Sequence, residues 1–343
     1  MTIFDLVKAQ EIAAYWDNMM KDRENFLGEE LWPNDKKLGI DLSWFKGASG
    51  LPVVLKPSAF DVNAIPRPRI GFDKLSAEMP FFKESMYIDE KMRQELNIVL
   101  QTGNQAYINI LVDKIFDDET TLLEAARVRR EQMRMLALTT GYINITANGQ
   151  DYAYDYHVPA AHKPTVGTSW SNASADIIED IRTYQELIED DTGVKPTRAV
   201  CSRKTWGYLL KNTNIRNAIL GNNSGVAVRD DQVITYLRDA LDLDVVVYTK
   251  RYKDDAGVST KYVPDDIFVL MPPTTLGKTW FGTTPEESDL MTSKVANVAI
   301  TDTGVAVTTI PHPDPVNIET KVTQICLPDF PMADQICIMD VIA

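Results

Sequence analysis

Apolar positions recur at steps of three and four residues along one stretch: Ile108, Leu111, Val112, Ile115, Phe116, Leu122, Leu123, Ala126, Met133, Leu136 and Ala137. That spacing lays a single buried stripe along an amphipathic helix. Asp117 and Asp118 interrupt the stripe, and Thr121 with Glu124 has the spacing of a capping box, so the pattern predicts two helical pieces or a kink near Asp118. Gly141 supplies the left-handed residue that closes the run. The period then drops to two, through Tyr142 to Thr146 and again through Tyr152, Tyr154, Tyr156 and Val158, with Asn148-Gly149 between. Asn-Gly between alternating runs predicts a two-residue hairpin.

Upstream, Ile12, Tyr15, Trp16 and Met19 share one face of a helix predicted within residues 3 to 26. Pro33 then stops the chain and leaves Trp32 with no partner near it in sequence. Two readings stay open: a helix that packs in the core, or an arm that lies on a neighbouring subunit. From Trp44 to Pro80 the breakers Gly47, Gly50, Pro52, Pro57, Pro66, Pro68 and Gly71 punctuate short alternating pieces. This is too long for an ordinary connection and reads as a protruding two-stranded ribbon, which is marginal alone in water and borrows contacts elsewhere. Arg67 and Arg69 alternate to one face of it, either as solvated edge charges or paired with acids on another copy. A helix follows from Ile88 to Leu100. Arg127, Arg129, Arg130 and Arg134, near the end of the long helical run, read as a solvated face with acid partners such as Glu131 on the same helix.

From Ser174 the pattern becomes α/β: helix 174–191, strand 198–202, helices 203–211 and 214–220, helix 231–241, strand 245–249, a pair of strands around Asp255-Ala-Gly257, and strand 267–271. The glycine-bounded loop 221–225 lies between helices, with no strand before it and no Lys after it, so it reads as surface rather than as a phosphate cradle. The remainder is β, over 295–300, 305–310, 316–327 and 335–341. The last strand is expected to complete a sheet begun earlier, such as the hairpin after Gly141.

A length of 343 residues predicts about two domains. Hydrophobic content of 44% and charged content of 24% are ordinary globular values, and no apolar run approaches bilayer length. The first residues, Met-Thr-Ile-Phe-Asp-Leu, lack a basic region leading into an apolar one, which predicts a protein that stays in the cytosol where it is made. Cys201, Cys326 and Cys337 sit in apolar surroundings without paired spacing and read as reduced, buried thiols. A net charge of −14 argues against a phosphate-gripping surface, and any assembly of many copies must be driven by apolar, shape-matched contacts or helped by counterions.

Catalytic chemistry is not expected. Gly277-Lys278-Thr279 resembles the end of a P-loop but lacks the upstream glycine, position 272 being Pro. His157 and His162 are five residues apart, which suits neither a helical ligand pair nor a short metal turn. No nucleophile elbow or dinucleotide fingerprint occurs, and the paired acids at 190–191, 254–255 and 265–266 sit at turns. No metal or cofactor is expected.

The order of parts resembles the Hong Kong 97-type major capsid fold, and specifically the lambda-like major capsid protein family of tailed bacteriophages. Phe26-Leu-Gly-Glu-Glu-Leu-Trp-Pro33 looks like that family's early hydrophobic-Pro motif, and Gly167-Thr-Ser-Trp-Ser171 resembles its entry to the axial domain. Lys261-Tyr-Val-Pro-Asp-Asp-Ile-Phe-Val-Leu270 is similar to its Pro-Asp strand, and Thr323-Gln-Ile-Cys-Leu-Pro328 to its closing strands. The resemblance implies an α+β chain: N-terminal arm 1–44, extended β-ribbon loop 45–82, spine-helix peripheral domain 83–164, inserted α/β axial domain 165–300, and C-terminal strands 301–343 returning to the peripheral domain. It implies hexamers and pentamers closing into an icosahedral head around packaged double-stranded DNA. It further implies a portal, a separate scaffolding protein because no long extension precedes the arm, and room for a decoration protein, with assembly in the host cytoplasm. Trp16, Trp32, Phe60, Arg67, Arg69, Asn222 and Asn223 are the expected intersubunit contacts. The rival readings are an encapsulin-type compartment shell of the same fold and, in a different class, a two-domain α/β enzyme.

Overall fold

A computed structural model of the chain describes residues 7–46, 73–88, 90–102, 105–147, 149–221, 226–254, 256–291, 296–314 and 316–343. The chain divides into two compact units, Met1–Leu42 with Ala77–Arg134 and Lys278–Asp329, and Ser43–Ser76 with Met135–Gly277 and Phe330–Ala343.

The first unit is organised around strand Val316–Pro328. Antiparallel to it run Val305–Pro313 on one edge and, on the other, Phe81–Ile88 followed by Thr279–Phe281. Asn297–Thr301 extends the sheet beyond Val305–Pro313, and Asn34–Lys36 lies parallel to Thr279–Phe281. β-Branched residues fill the central strand, whose residues Thr320 to Pro328 are buried on both faces, so its polar side chains need partners inside the protein. Helix Ala9–Met20 buries Ala9, Ile12, Ala13 and Trp16, and it is fixed to the outer strands by Ala9 N donating to Asn297 Oδ1 (3.1 Å) and Thr301 Oγ1 to Asp17 Oδ1 (2.6 Å).

Helix Gln105–Thr140 runs unbroken for 36 residues, with no second start at Thr121. The expected break is absent because the hydroxyls that could cap a new helix bond backwards instead. Thr120 Oγ1 donates to Asp117 O and Thr121 Oγ1 to Asp118 O, which leaves the helical ladder intact, while Asp117 accepts from Tyr15 OH at 2.7 Å. The helix predicted from Ile88 is Glu90–Thr102, and Phe81–Ile88 before it is strand.

In the second unit, strand order is Cys337–Asp340, Ile267–Met271, Arg198–Cys201, Asp244–Val247. Ile267–Met271 is antiparallel to both of its neighbours, and the last strand is parallel to Arg198–Cys201, reached through helices Arg203–Lys211, Thr213–Leu220 and Asp230–Leu241. Ile181, Ile188, Trp206, Leu237 and Phe268 fill the core between these helices, helix Ile177–Thr192 and the sheet. Asp176, Ser202 and Asn212 cap three of the helices by accepting from backbone N–H groups.

The final strand corrects one expectation. Cys337 and Met339 pack into the α/β core, so the chain end joins Ile267–Met271, and the hairpin of Tyr142–Ala147 with Gln150–Asp155 forms a sheet of its own. Residues 278–300 belong to the first unit and 330–343 to the second. The base of the predicted ribbon is present as the paired strands Asp41–Lys46 and Asp73–Glu78, while residues 47–72 lie outside the described residues.

Gly141 and Gly149 provide a graded test. Both have positive φ, +71° and +74°, but a Cβ at Gly141 would meet Val158 Cγ2 at 2.7 Å, whereas nothing lies within 4 Å at Gly149. In denaturant titrations, Gly149→Ala is expected to cost about 1 kcal/mol and Gly141→Ala about 2 kcal/mol or more.

Candidate functional site

Arg127, Arg130 and Arg134 are three and four residues apart and therefore share a face of the long helix. All three are buried, Arg130 only 2% exposed and Arg134 not at all. Three of the four arginines expected on a solvated face thus lie in the interior of the first unit, while Arg129 is half-buried and donates to Gln132 on the same helix.

Each guanidinium binds a different segment. Arg127 forms a fork on Glu29, Nε to Oε1 at 2.8 Å and Nη2 to Oε2 at 3.0 Å, also donates to Glu24 O, and lies 4.3 Å from the Phe26 ring centroid. Arg130 donates to Gln324 Oε1 (2.9 Å) and Asp302 Oδ2 (2.7 Å). Arg134 donates to Thr279 Oγ1 (2.8 Å) and Asn34 Oδ1 (2.6 Å). Glu131, from the same turns, accepts from Gly28 N at 3.1 Å, and Gln324 Nε2 donates to Ala126 O. The turn that holds Asp302 has positive φ at both Asp302 and Thr303, a conformation that Asp tolerates better than most side chains.

Burial opposes the charge on Glu29, but Arg127 outweighs it and holds this carboxyl below its ordinary value. For Arg134, burial and then the Arg130 charge bring the guanidinium down to about 10, which still leaves it a cation at neutral pH. On the other face of the sheet, Lys321 Nζ and Thr323 Oγ1 meet Glu286 at 2.9 and 3.0 Å.

What this arrangement does chemically is hold segments together. Burial pushes the Cys201, Cys326 and Cys337 thiols up to about 12, 11 and 12, so none supplies a thiolate nucleophile near neutral pH. Among the described residues no group of three or more His, Cys, Asp or Glu could hold a metal ion, and no helix is long and apolar enough to cross a membrane.

Of the expected intersubunit residues, Trp16 and Trp32 are instead core residues, each 0% exposed within the single chain. Trp16 Nε1 donates to Asp302 Oδ1 at 3.2 Å and Trp32 Nε1 to Asp329 O at 2.7 Å. The indole of Trp32 finds its acceptor 297 residues later in the chain. Phe60, Arg67, Arg69, Asn222 and Asn223 lie outside the described residues. The arginine ladder was the missed feature, and its signal was present: Arg127, Arg130 and Arg134 continue the step of the apolar stripe through Leu123 to Leu138.

A family model described as phage major capsid protein E matches residues 8–341. No curated protein matches the sequence. Among solved structures, a protein described as a prophage capsid protein from E. coli CFT073 superposes with a TM-score of 0.60 at 14% identity, over 98% of this chain and 99% of that one. A phage-related protein from Bordetella bronchiseptica RB50 gives 0.55 at 12% identity over 98% and 97%, and a chain of the cyanophage A-1(L) capsid asymmetric unit gives 0.51 at 12% over 92% of each. At these identities the likeness is one of fold.

Breaking the ladder is expected to be far costlier than breaking a surface pair. Arg130→Met leaves the Asp302 carboxylate without its cation and should destabilise the protein by about 3 to 5 kcal/mol. Arg182→Met, which removes the exposed Arg182–Glu179 pair, should stay within about 0.5 kcal/mol in the same denaturation assay.

Proposed function

Since the chain belongs to the phage major capsid protein E family, we propose that its copies form the hexamers and pentamers of an icosahedral phage head enclosing packaged double-stranded DNA. The protein is a structural component of the virion, and its fold is the Hong Kong 97-type capsid fold. One observation carries this reading: the family match runs through residues 8–341 and so takes in both compact units and not a shared fragment. The same match favours a phage capsid over a cellular compartment shell or a two-domain enzyme. An internal tie made of arginines and carboxylates suits a structural protein, and we assign no catalytic step to it.

In this reading the ribbon of residues 45–82 lies across an adjoining copy, with Phe60, Arg67 and Arg69 as its contacts, and Asn222 and Asn223 lie where copies meet around a capsomer axis. Trp16 and Trp32 drop out of the contact set because their rings are enclosed by their own chain. The net charge of −14 gives packed DNA a wall to slide along, with the acids facing inward. Copies assemble in the host cytoplasm with a separate scaffolding protein and a portal, and a decoration protein can join the finished shell.

Electron microscopy of the purified full chain, alone and co-expressed with a scaffolding partner, is the test. Shells or six- and five-membered rings are expected, and a uniform population of monomers under both conditions would overturn the reading. The double variant Arg67→Ala/Arg69→Ala should fold but yield fewer closed shells, read as the ratio of particles to free subunits by sedimentation.

A further inference from the structure

Glu119 occupies a position on the long helix that the arginine ladder does not serve. It is 1% exposed, on the helix face that also buries Ile115, Phe116, Leu122 and Leu123, and it meets the central strand at Thr320. Among the described residues neither its Oε2 nor Thr320 Oγ1 makes a hydrogen bond of good geometry, although the hydroxyl stands close enough to the carboxyl to act on its charge. Burial pushes the Glu119 carboxyl up to about 7; the Thr320 hydroxyl opposes that rise and the Asp118 charge adds to it.

Among the described residues none forms an ion pair with Glu119. On the central strand, Glu319 and Lys321 flank Thr320 but project from the opposite face, where His312 and Glu286 hold them. Thr309 and Met86 are the register partners of Thr320 on the two neighbouring strands, and Glu84, two residues from Met86, is exposed. Helix Glu90–Thr102 packs beside the same strand; Glu90 accepts from Val316 N, and Arg93 forms no ion pair with Glu119. Tyr15, on the N-terminal helix, donates to Asp117 and not to Glu119.

We propose that Glu119 is a proton-operated catch between the long helix and the central sheet. Protonated, it can donate to the Thr320 hydroxyl and close the seam. Ionised, it becomes a buried carboxylate without a cation and loosens residues 115–123 from residues 318–322.

The direction follows from linkage. A carboxyl held near 7 in the folded seam, against 4.5 when exposed, binds its proton more tightly when the seam is closed. The closed seam is therefore favoured at acid pH, and the cost of ionisation grows as pH rises from 4.5 to about 7 and is complete above that. Between pH 6 and pH 8 the opening of the seam should increase about tenfold beyond any change seen in a protein with a neutral group at this position.

Hydrogen exchange on the full chain at those two pH values tests this, comparing wild type with Glu119→Gln and with Glu119→Met. The expected result is about a tenfold rise in the wild-type-to-variant ratio of opening at residues 115–123 and 318–322. Residues 198–201 and 267–271 of the other unit should show no such change. Equal pH profiles in wild type and variants would overturn the proposal. Should both variants fail to fold, a carbon-13 titration of the wild-type glutamate carboxyls decides the matter. A buried carboxyl titrating near neutrality supports the catch, and no glutamate titrating above about 5 sinks it.

Discussion

Three arginine side chains withdrawn from water along a few turns of one helix set the terms on which the first unit folds. Removing a guanidinium from water costs several kcal/mol after relaxation, so each must recover that cost from fixed partners. The charges balance by residue: Arg127, Arg130 and Arg134 against Glu29, Glu131 and Asp302. Further donors reach neutral oxygens of Asn34, Thr279, Gln324 and the Glu24 carbonyl, while Arg130 Nε and Arg134 Nη1 make no hydrogen bond. Apart from Glu131, which lies on the same helix, these partners lie between 98 and 194 residues from their arginines in sequence. Arg127 is held by residues 24 and 29, Arg130 by Asp302 and Gln324, and Arg134 by Asn34 and Thr279, so the ladder ties the N-terminal segment and the sheet to the long helix.

A core of leucines in the same place would tolerate sliding of the helix by a turn. The ladder does not, because each guanidinium fork must meet an acceptor of matching geometry. Gly28 shows how tight the match is: a Cβ there would meet Glu131 Oε2 at 2.3 Å and Arg134 Cδ at 2.7 Å. The segment carrying Glu29 can approach the helix closely only because its neighbour has no side chain. Trp16 and Trp32 close the ends of this region with their indole N–H groups also satisfied, so apolar bulk and polar specificity come from the same residues.

Much of this architecture was legible from local pattern. Helix Arg203–Lys211, strand Ile267–Met271, the Asn148-Gly149 hairpin and the long helix follow from period and punctuation, because each is decided within a few neighbouring residues. What failed were judgements that depend on contacts far along the chain. Arg127, Arg130 and Arg134 look like a solvated face when only Glu131 and nearby acids are considered, and the partners that meet them inside the unit lie 98 or more residues away. The final strand is short and apolar and carries no mark of its destination; packing of Cys337 and Met339 in the α/β core decides it. The Asp117-Asp118 interruption looked like a break because Thr121 could cap, and the competing backward bond of its hydroxyl has no distinct signature in sequence.

The three cysteines have a consequence outside the cell. A particle released into oxidising surroundings carries Cys201, Cys326 and Cys337 enclosed and unpaired in every copy. Their cohesion within the chain owes nothing to sulfur bonds, so reducing agents should leave each subunit intact. Each thiol meets an alkylating reagent only when its own core comes apart, which makes the rate of cysteine alkylation a clock for opening of the subunit from within.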